Sequence, residues 1–538
     1  MKRIIANLLV FTLFINSQLL SIVNAQDYSS PNGNTMVLTL FQNPKTLDIQ
    51  NTNADYFIPL QIYNRLVDVK VSENGEAEIV PSLAESWEIS EDGTEYTFHL
   101  RKGVKFHNGE ELKADDVLFT IDKAVNPDKA MVNAFQFKDI KGFQARLDGE
   151  TDVIEGVEVV DDYTVKMTLE KPTPSFLADL TGAPASIYNR KAVEEGQDKF
   201  GFDPEYTVGT GYMKFQDWSQ DQEINLVKNE DYFGEEAKID GVKYLMNVDS
   251  STARMMFENG ELDFLSLNAD SLKYFQESDF WKDYIHEIVP PTMDYMLFNQ
   301  NDEYLSDSRV RRAIQLAINR DIINESFYNG EGTLLNGVLP PVIPGYNEDQ
   351  EPIPFDPDKA RELLAEAGYE QGMKLVLLQN GESTYTHPIN EMIQSMLAEV
   401  GIEVEIKNVD MTTFWDMIAS GQDYSMMVGP VTADIPDPAP FFMDFTIEGS
   451  KSKGYNIKNE ELSNKIIEAN GLLDPSERLD ALKALENEIV SEEALYLPLV
   501  SETNHYIISP RLNDFQLGWQ GWVALSTGRV SIDASYNR

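Results

Sequence analysis

Hydrophobic and polar positions alternate over several short runs in the first half of the chain. Met36 to Phe41 alternates with Val37, Thr39 and Phe41 on one side, which predicts a strand. Ile58 to Leu66 predicts a short helix. Glu95 to Arg101 follows the turn signal Glu91-Asp92-Gly93 and places Tyr96, Phe98 and Leu100 on one face. Val159 to Leu169 predicts a hairpin about Asp161-Asp162, with Val165, Met167 and Leu169 sharing a face. Between these hairpins Ala114-Asp115-Asp116 opens a helix running to Ala124. Ile224 to Lys228, Val242 to Val248 and Met293 to Asn299 predict further strands.

The pattern changes in the second half. Val310, Ala313, Ile314, Ala317 and Ile318 fall at i, i+3, i+4, i+7 and i+8, so Ser308 to Asn319 predicts an amphipathic helix. Asp356-Pro357 is an N-cap followed by proline at the first helical position; Ala360, Leu363, Leu364 and Ala367 form the stripe behind it, and Gly368 ends it. Asp474-Pro475 repeats that start ahead of Leu479, Leu482, Leu485 and Ile489. Strands Lys374 to Leu378 and Ile402 to Ile406 flank a helix from Ile389 to Val400. Strand–helix–strand order implies parallel pairing and an α/β domain.

A chain of 538 residues is too long for one core, so two or three domains are expected. It carries 90 acidic and 43 basic residues, a net charge of −47, which sets the mean field against nucleic acid and anionic lipid. Met1-Lys2-Arg3, the apolar run Ile4 to Phe14 and the small-residue site Val23-Asn24-Ala25 form a secretory signal peptide, with cleavage expected after Ala25. There is no cysteine, which excludes a disulfide framework, a thiolate metal site and a lipid-modified cysteine. A protein free in a periplasm is the expectation, with no cofactor.

Signals for catalysis or metal binding are sparse. The five histidines are scattered, none at HExxH spacing, and no GxSxG elbow occurs. His99 and His107 fall in the hairpin block and are read as exposed strand residues. Gly209-Thr210-Gly211 lacks the spacing of a phosphate-binding loop and is read as a structural turn.

The run from Pro81-Ser82-Leu83-Ala84-Glu85-Ser86-Trp87 through Gly93 and Tyr96 to Phe106-His107-Asn108-Gly109, continued by Leu112 to Val117, resembles the signature of the family-5 extracellular solute-binding proteins. These are the peptide, oligopeptide and nickel receptors of ABC importers. Leu47-Asp48, Gly209-Thr210-Gly211, Asn229 to Tyr232, Gly260 to Asp263, Val310 to Ile314 and Asp356 to Tyr369 look like later landmarks in family order. The resemblance implies an α/β, bilobed periplasmic-binding-protein type II fold with a small α+β domain inserted near the N-terminus. Carried over, the first lobe comprises residues 27–70, 206–290 and 508–538, the inserted domain 71–205 and the second lobe 291–507.

It also implies where the ligand lies. The stiff loop Val428 to Pro438 holds an Ala-Asp pair where peptide-binding relatives pair an aspartate with the ligand's ammonium; Asp434 matches. The competing reading is an Asx-turn that caps the loop. Relatives often place Gly-Trp where Pro430-Val431 stand, so an aromatic wall is lost here. Backbone groups around Val431, Thr432 and Ala433 are expected to pair with an extended peptide. Tyr56 and Phe57 lie in the early loop that lines the first lobe in relatives, and Met411 where some place an aromatic. Tyr385 and His387 are the polar candidates near the ligand carboxylate. No arginine stands between Glu382 and His387, which favours longer peptides. Trp519 and Trp522 are read as packing residues. The expected activity is therefore that of a monomeric, non-enzymatic receptor passing peptides to an ABC permease. A same-fold receptor for an oligosaccharide or a nickel chelate, with His387 and His505 as candidate ligands, is the alternative, and an exported hydrolase a third.

Overall fold

The computed structural model describes residues 31–40, 43–52, 56–71, 77–129, 131–382, 386–521, 530–533 and 536. The signal peptide, Phe41, Tyr385 and Trp522 lie outside them. The first expected strand forms as Thr35–Leu40. Its alternation feeds two cores: Met36, Leu38 and Leu40 enter one, Val37 the next. The strand pairs in parallel with Gly241–Met246, and the sheet continues through antiparallel Glu223–Lys228 to Met213–Ser219. Beyond it stands a three-stranded antiparallel sheet in the order Phe264–Leu267, Asn504–Ile508, Ile285–Ile288. A buried ion pair ties these parts together. Arg511 Nε and Nη2 donate to the two Asp263 oxygens at 2.6 Å each, Arg511 Nη2 also donates to Thr35 O at 2.8 Å, and Val37 N donates to Asp263 Oδ2 at 2.8 Å.

The helix expected over Ile58 to Leu66 shrinks to one turn, Pro59–Ile62, and Tyr63 is already extended at φ −115°, ψ 152°. Tertiary contact overrides the pattern here. Gly211 N donates to Ile62 O at 2.8 Å, and a Cβ on Gly209 or Gly211 would collide with the carbonyls of Ile62 and Gln61. Gly209 to Gly211 is thus a site of close backbone approach. His107 corrects its expectation. It is not an exposed strand residue: Gly209 N donates to its Nδ1 at 3.3 Å, and its Nε2 lies 2.9 Å from Gly211 O. Burial pushes its pKa down to about 4, so the imidazole is neutral, with Nε2–H the donor.

Ala84–Ile89, Glu95–Leu100, Thr164–Thr168 and Val157–Asp161 form a four-stranded antiparallel sheet in that order. Tyr96, Phe98 and Leu100 meet Val165, Met167 and Leu169 in its core, under the helix Ala114–Ala124.

The second half builds the largest core around a five-stranded sheet ordered Ile402–Val409, Met373–Asn380, Met426–Thr432, Thr292–Phe298, Tyr496–Pro498. The first two strands are parallel and joined by the helix His387–Glu399, as the strand–helix–strand order requires. Ser308–Ala317 buries its whole apolar stripe and ends two residues short of the expected Asn319, with Ile318 already extended. The Asp356 carboxylate accepts from Lys359 N, and the Asp474 carboxylate from Glu477 N, each at 2.9 Å.

Candidate functional site

The strand Met426–Thr432 leads into the proline-rich loop. Thr292–Phe298 flanks it along its full length, but Met373–Asn380 pairs with it only at Met426 and Met427. Its carboxyl half therefore has one unpaired edge. In an antiparallel ladder successive residues turn their backbone groups to alternate sides. Asp294 O accepts from Leu499 N at 2.9 Å and Thr292 O from Ser501 Oγ at 3.0 Å, so both turn away from Met426–Thr432. Met293 and Tyr295 face it, opposite Val431 and Gly429. Ala433 N donates to Pro291 O at 2.9 Å. Val431 and Ala433 are thus committed inward, and the backbones of Pro430 and Thr432 point to the open edge. Proline sits there without forfeiting a ladder bond, since it has no N–H to give. The Thr432 hydroxyl is 2.9 Å from that of Thr292.

The loop is anchored underneath. Asp437 takes a bidentate pair from Arg478, at 2.9 and 2.6 Å, and accepts from Ala439 N at 2.8 Å. Above this anchor Asp434 stands at the rim of a cavity of about 330 Å³. One wall is Val431 to Ile435 with Phe441, Asp444 and Lys453; the other is Asn133, Phe135, Gln136, Lys138, Asp139 and Asp179. The Asp434 side chain is open to water, yet the protein crowding around it raises its pKa by desolvation, with Lys453 acting against. Burial, then the charges of Asp139 and Asp437, lifts Asp179 to about 7. Burial lifts Asp444 to about 6, although Lys453 lies 3.6 Å away. Four carboxylates and two lysines line this space. A cation entering it would meet carboxylates whose charge is poorly compensated.

Tyr56 reaches the same place from the first part of the chain. Asn133 Nδ2 donates to its Oη at 3.3 Å, and Oη donates to Thr52 O at 3.1 Å. Burial, and after it the Asp434 charge, raises the phenol's pKa against the Asn133 bond, which places Tyr56 within electrostatic reach of Asp434. Phe57, one residue on, lines a different cavity of about 750 Å³.

The structure brings together Val431, Thr432, Ala433, Asp434 and Tyr56. Met411 and His387 gather elsewhere, about Asn380: its Nδ2 is 3.3 Å from Met411 Sδ, and its carbonyl is 3.1 Å from His387 Nε2. Neither is among the described residues lining the two cavities. His505, in Asn504–Ile508, pairs across the sheet with Leu267 of the larger cavity's wall and has its Nε2 3.4 Å from Glu287. Tyr385 is outside the described residues. Sequence reasoning missed Asn133, Asp179, Asp444 and Lys453. No motif marks them, and in a chain this acidic no carboxylate stands out by type. Trp519 packs on the core of the second half, and Gln520 Nε2 donates to Asp434 O at 3.2 Å, so the C-terminal segment touches the candidate loop.

Residues 78–453 match the model of the bacterial extracellular solute-binding proteins, family 5 middle region. The dipeptide-binding protein of Escherichia coli is 29% identical over 498 residues, covering 87% of this chain and 90% of the relative. Heme-binding protein A of Haemophilus influenzae is 30% identical over 479 residues, covering 85% and 84%. Among solved structures, the periplasmic binding protein DppA of Helicobacter pylori in complex with the peptide STSA superposes with a TM-score of 0.74 at 28% identity, covering 93% of this chain and 98% of that one.

Proposed function

Since this chain belongs to family 5 of the bacterial extracellular solute-binding proteins, we propose that it is the peptide receptor of an ABC importer and that Asp434 holds the peptide's α-ammonium. One observation carries this reading: a carboxylate with a raised pKa at the rim of a cavity walled by segments distant along the chain, two residues from an unpaired strand edge. The ammonium supplies the charge and the three donors that such a carboxylate lacks. The Pro430–Thr432 edge accepts main-chain hydrogen bonds irrespective of side chain, as peptide recognition by strand addition requires. The names of the dipeptide- and di/tripeptide-binding relatives support peptides as the ligand class.

The reading carries the rest of the architecture with it. Residues 27–70, 206–290 and 508–538 form the first lobe, 71–205 the inserted domain and 291–507 the second lobe, a division the hydrophobic cores support away from its seams: Leu66 and Val67 pack with the inserted domain, and Ala183, Tyr188 and Phe200 with the first lobe. The protein is exported to the periplasm, acts as a monomer without a cofactor, binds no nucleic acid and hands its ligand unchanged to the permease. Asp434→Asn should weaken peptide binding on the order of 10²-fold in calorimetric titration, the scale of an ion pair broken on closure. Unchanged affinity would remove Asp434 from the site. Peptide recovered intact after incubation is expected, and fragments would make the protein a hydrolase.

A further inference from the structure

The larger cavity, about 750 Å³, opens where the parallel strands Thr35–Leu40 and Gly241–Met246 end. Ligands of α/β sheets bind off such carboxyl ends. Its wall is mainly apolar, with Leu38, Leu40, Phe57, Tyr244, Phe264 and Leu267. Arg254, from the helix Ser250–Glu258, is the cation in that wall. Among the described residues Arg254 is the one arginine whose guanidinium makes no hydrogen bond and no ion pair. The others engage carboxylates, side-chain amides or backbone carbonyls, as Arg146, Arg320, Arg478 and Arg511 do. Its only ring contact is with Tyr274, 4.6 Å from the centroid. Its Nε is shielded from water and has no acceptor. Asp270 is the carboxylate in the same wall.

A guanidinium whose partner is an aromatic ring and not a carboxylate stands out in a chain with 90 acidic residues. A buried donor left without an acceptor is costly, so such a group calls for a partner that arrives from outside. Phe57 lines this cavity, and its neighbour Tyr56 is bonded to Asn133 in the wall of the Asp434 cavity.

We infer that Arg254 is a binding residue for the ligand's carboxylate, so that a peptide lies across the gap with its ammonium at Asp434 and its free C-terminus in the first-lobe cavity. The inference rests on the peptide-receptor reading. It relocates the carboxylate contact from the stretch Glu382 to His387, where no arginine stands, to the opposite lobe. Guanidinium suits the task because its planar fork matches a carboxylate.

The test uses alanine peptides of two to five residues, each as free acid, C-terminal amide and N-acetyl acid, titrated into the full mature chain. Wild type should bind one length best and should prefer the acid over its amide by about 10- to 100-fold. Arg254→Gln should lose that preference, binding acid and amide alike, while still rejecting the N-acetyl form. Arg254→Lys, which keeps the charge without the fork, should recover part of the preference and shows that the fold survives. If the wild type binds acid and amide equally while rejecting the N-acetyl form, the Arg254 inference fails and the Asp434 reading stands. If Arg254→Gln keeps the full preference, the inference fails likewise. If no peptide binds the wild type, the receptor reading fails and takes the inference with it.

Discussion

Of the four aspartates lining one small cavity, Asp179, Asp434 and Asp444 acquire raised pKa values from their surroundings. Asp179 is the extreme case, with its pKa lifted to about 7 chiefly by burial. The folded protein holds its proton more tightly than the unfolded chain does. Its contribution to stability is therefore fully present below the ordinary carboxylate range and is lost as pH rises through about 7. Ligand-free protein should lose up to ~1.4 kcal/mol per pH unit from this group across that window. Asp179→Asn should flatten that fall, so the variant gains on wild type between pH 5 and pH 8 in denaturant titrations. Equal slopes in the two proteins would contradict the assignment. Asp434 could be picked from the sequence because a stiff loop and a family pattern frame it. Asp179 could not, since its properties arise from what burial places around it.

At the scale of elements, local pattern and tertiary contact divide the outcome. Period-two runs with turn signals became strands, as in Glu95–Leu100 and Thr164–Thr168, because alternation there matches one buried face. The segment after Ile58 reads as helix locally but stops at Ile62, where the Gly209 to Gly211 loop lies against its carbonyls. Gly209→Ala would push a methyl group into Ile62 O and the Tyr63 ring. A cost of about 1–3 kcal/mol is expected, the usual range for overpacking, visible as a lowered denaturation midpoint. A midpoint unchanged from wild type would mean that the loop can move aside. The open edge at Pro430–Thr432 also belongs to this scale. It exists because Met373–Asn380 leaves its neighbour after two residues, and no feature of either strand's sequence announces that.

For the whole molecule, the decisive joints connect residues far apart in the chain. Arg511 binds Asp263 and the carbonyl of Thr35, so the last part of the chain secures its first strand. Arg511→Ala leaves the Asp263 carboxylate buried and unpaired, a loss of about 3–5 kcal/mol. Hydrogen exchange should quicken at Met36 to Leu40 and stay unchanged at Met426 to Val428, in a separate core. Uniform acceleration in both strands would show that the cores unfold as one. By itself the sequence determined the strand and helix periods, the parallel pairing of Met373–Asn380 with Ile402–Val409, and the family through one long motif and a series of shorter landmarks in order. These are local or pairwise properties, written in residues close together along the chain. Only the tertiary structure decided that Tyr56, Asn133, Asp179 and Asp434 share a neighbourhood, and that Arg254 stands in a cavity wall against the Tyr274 ring and not against a carboxylate. Burial and proximity depend on how distant segments pack, and no short stretch of residues encodes that.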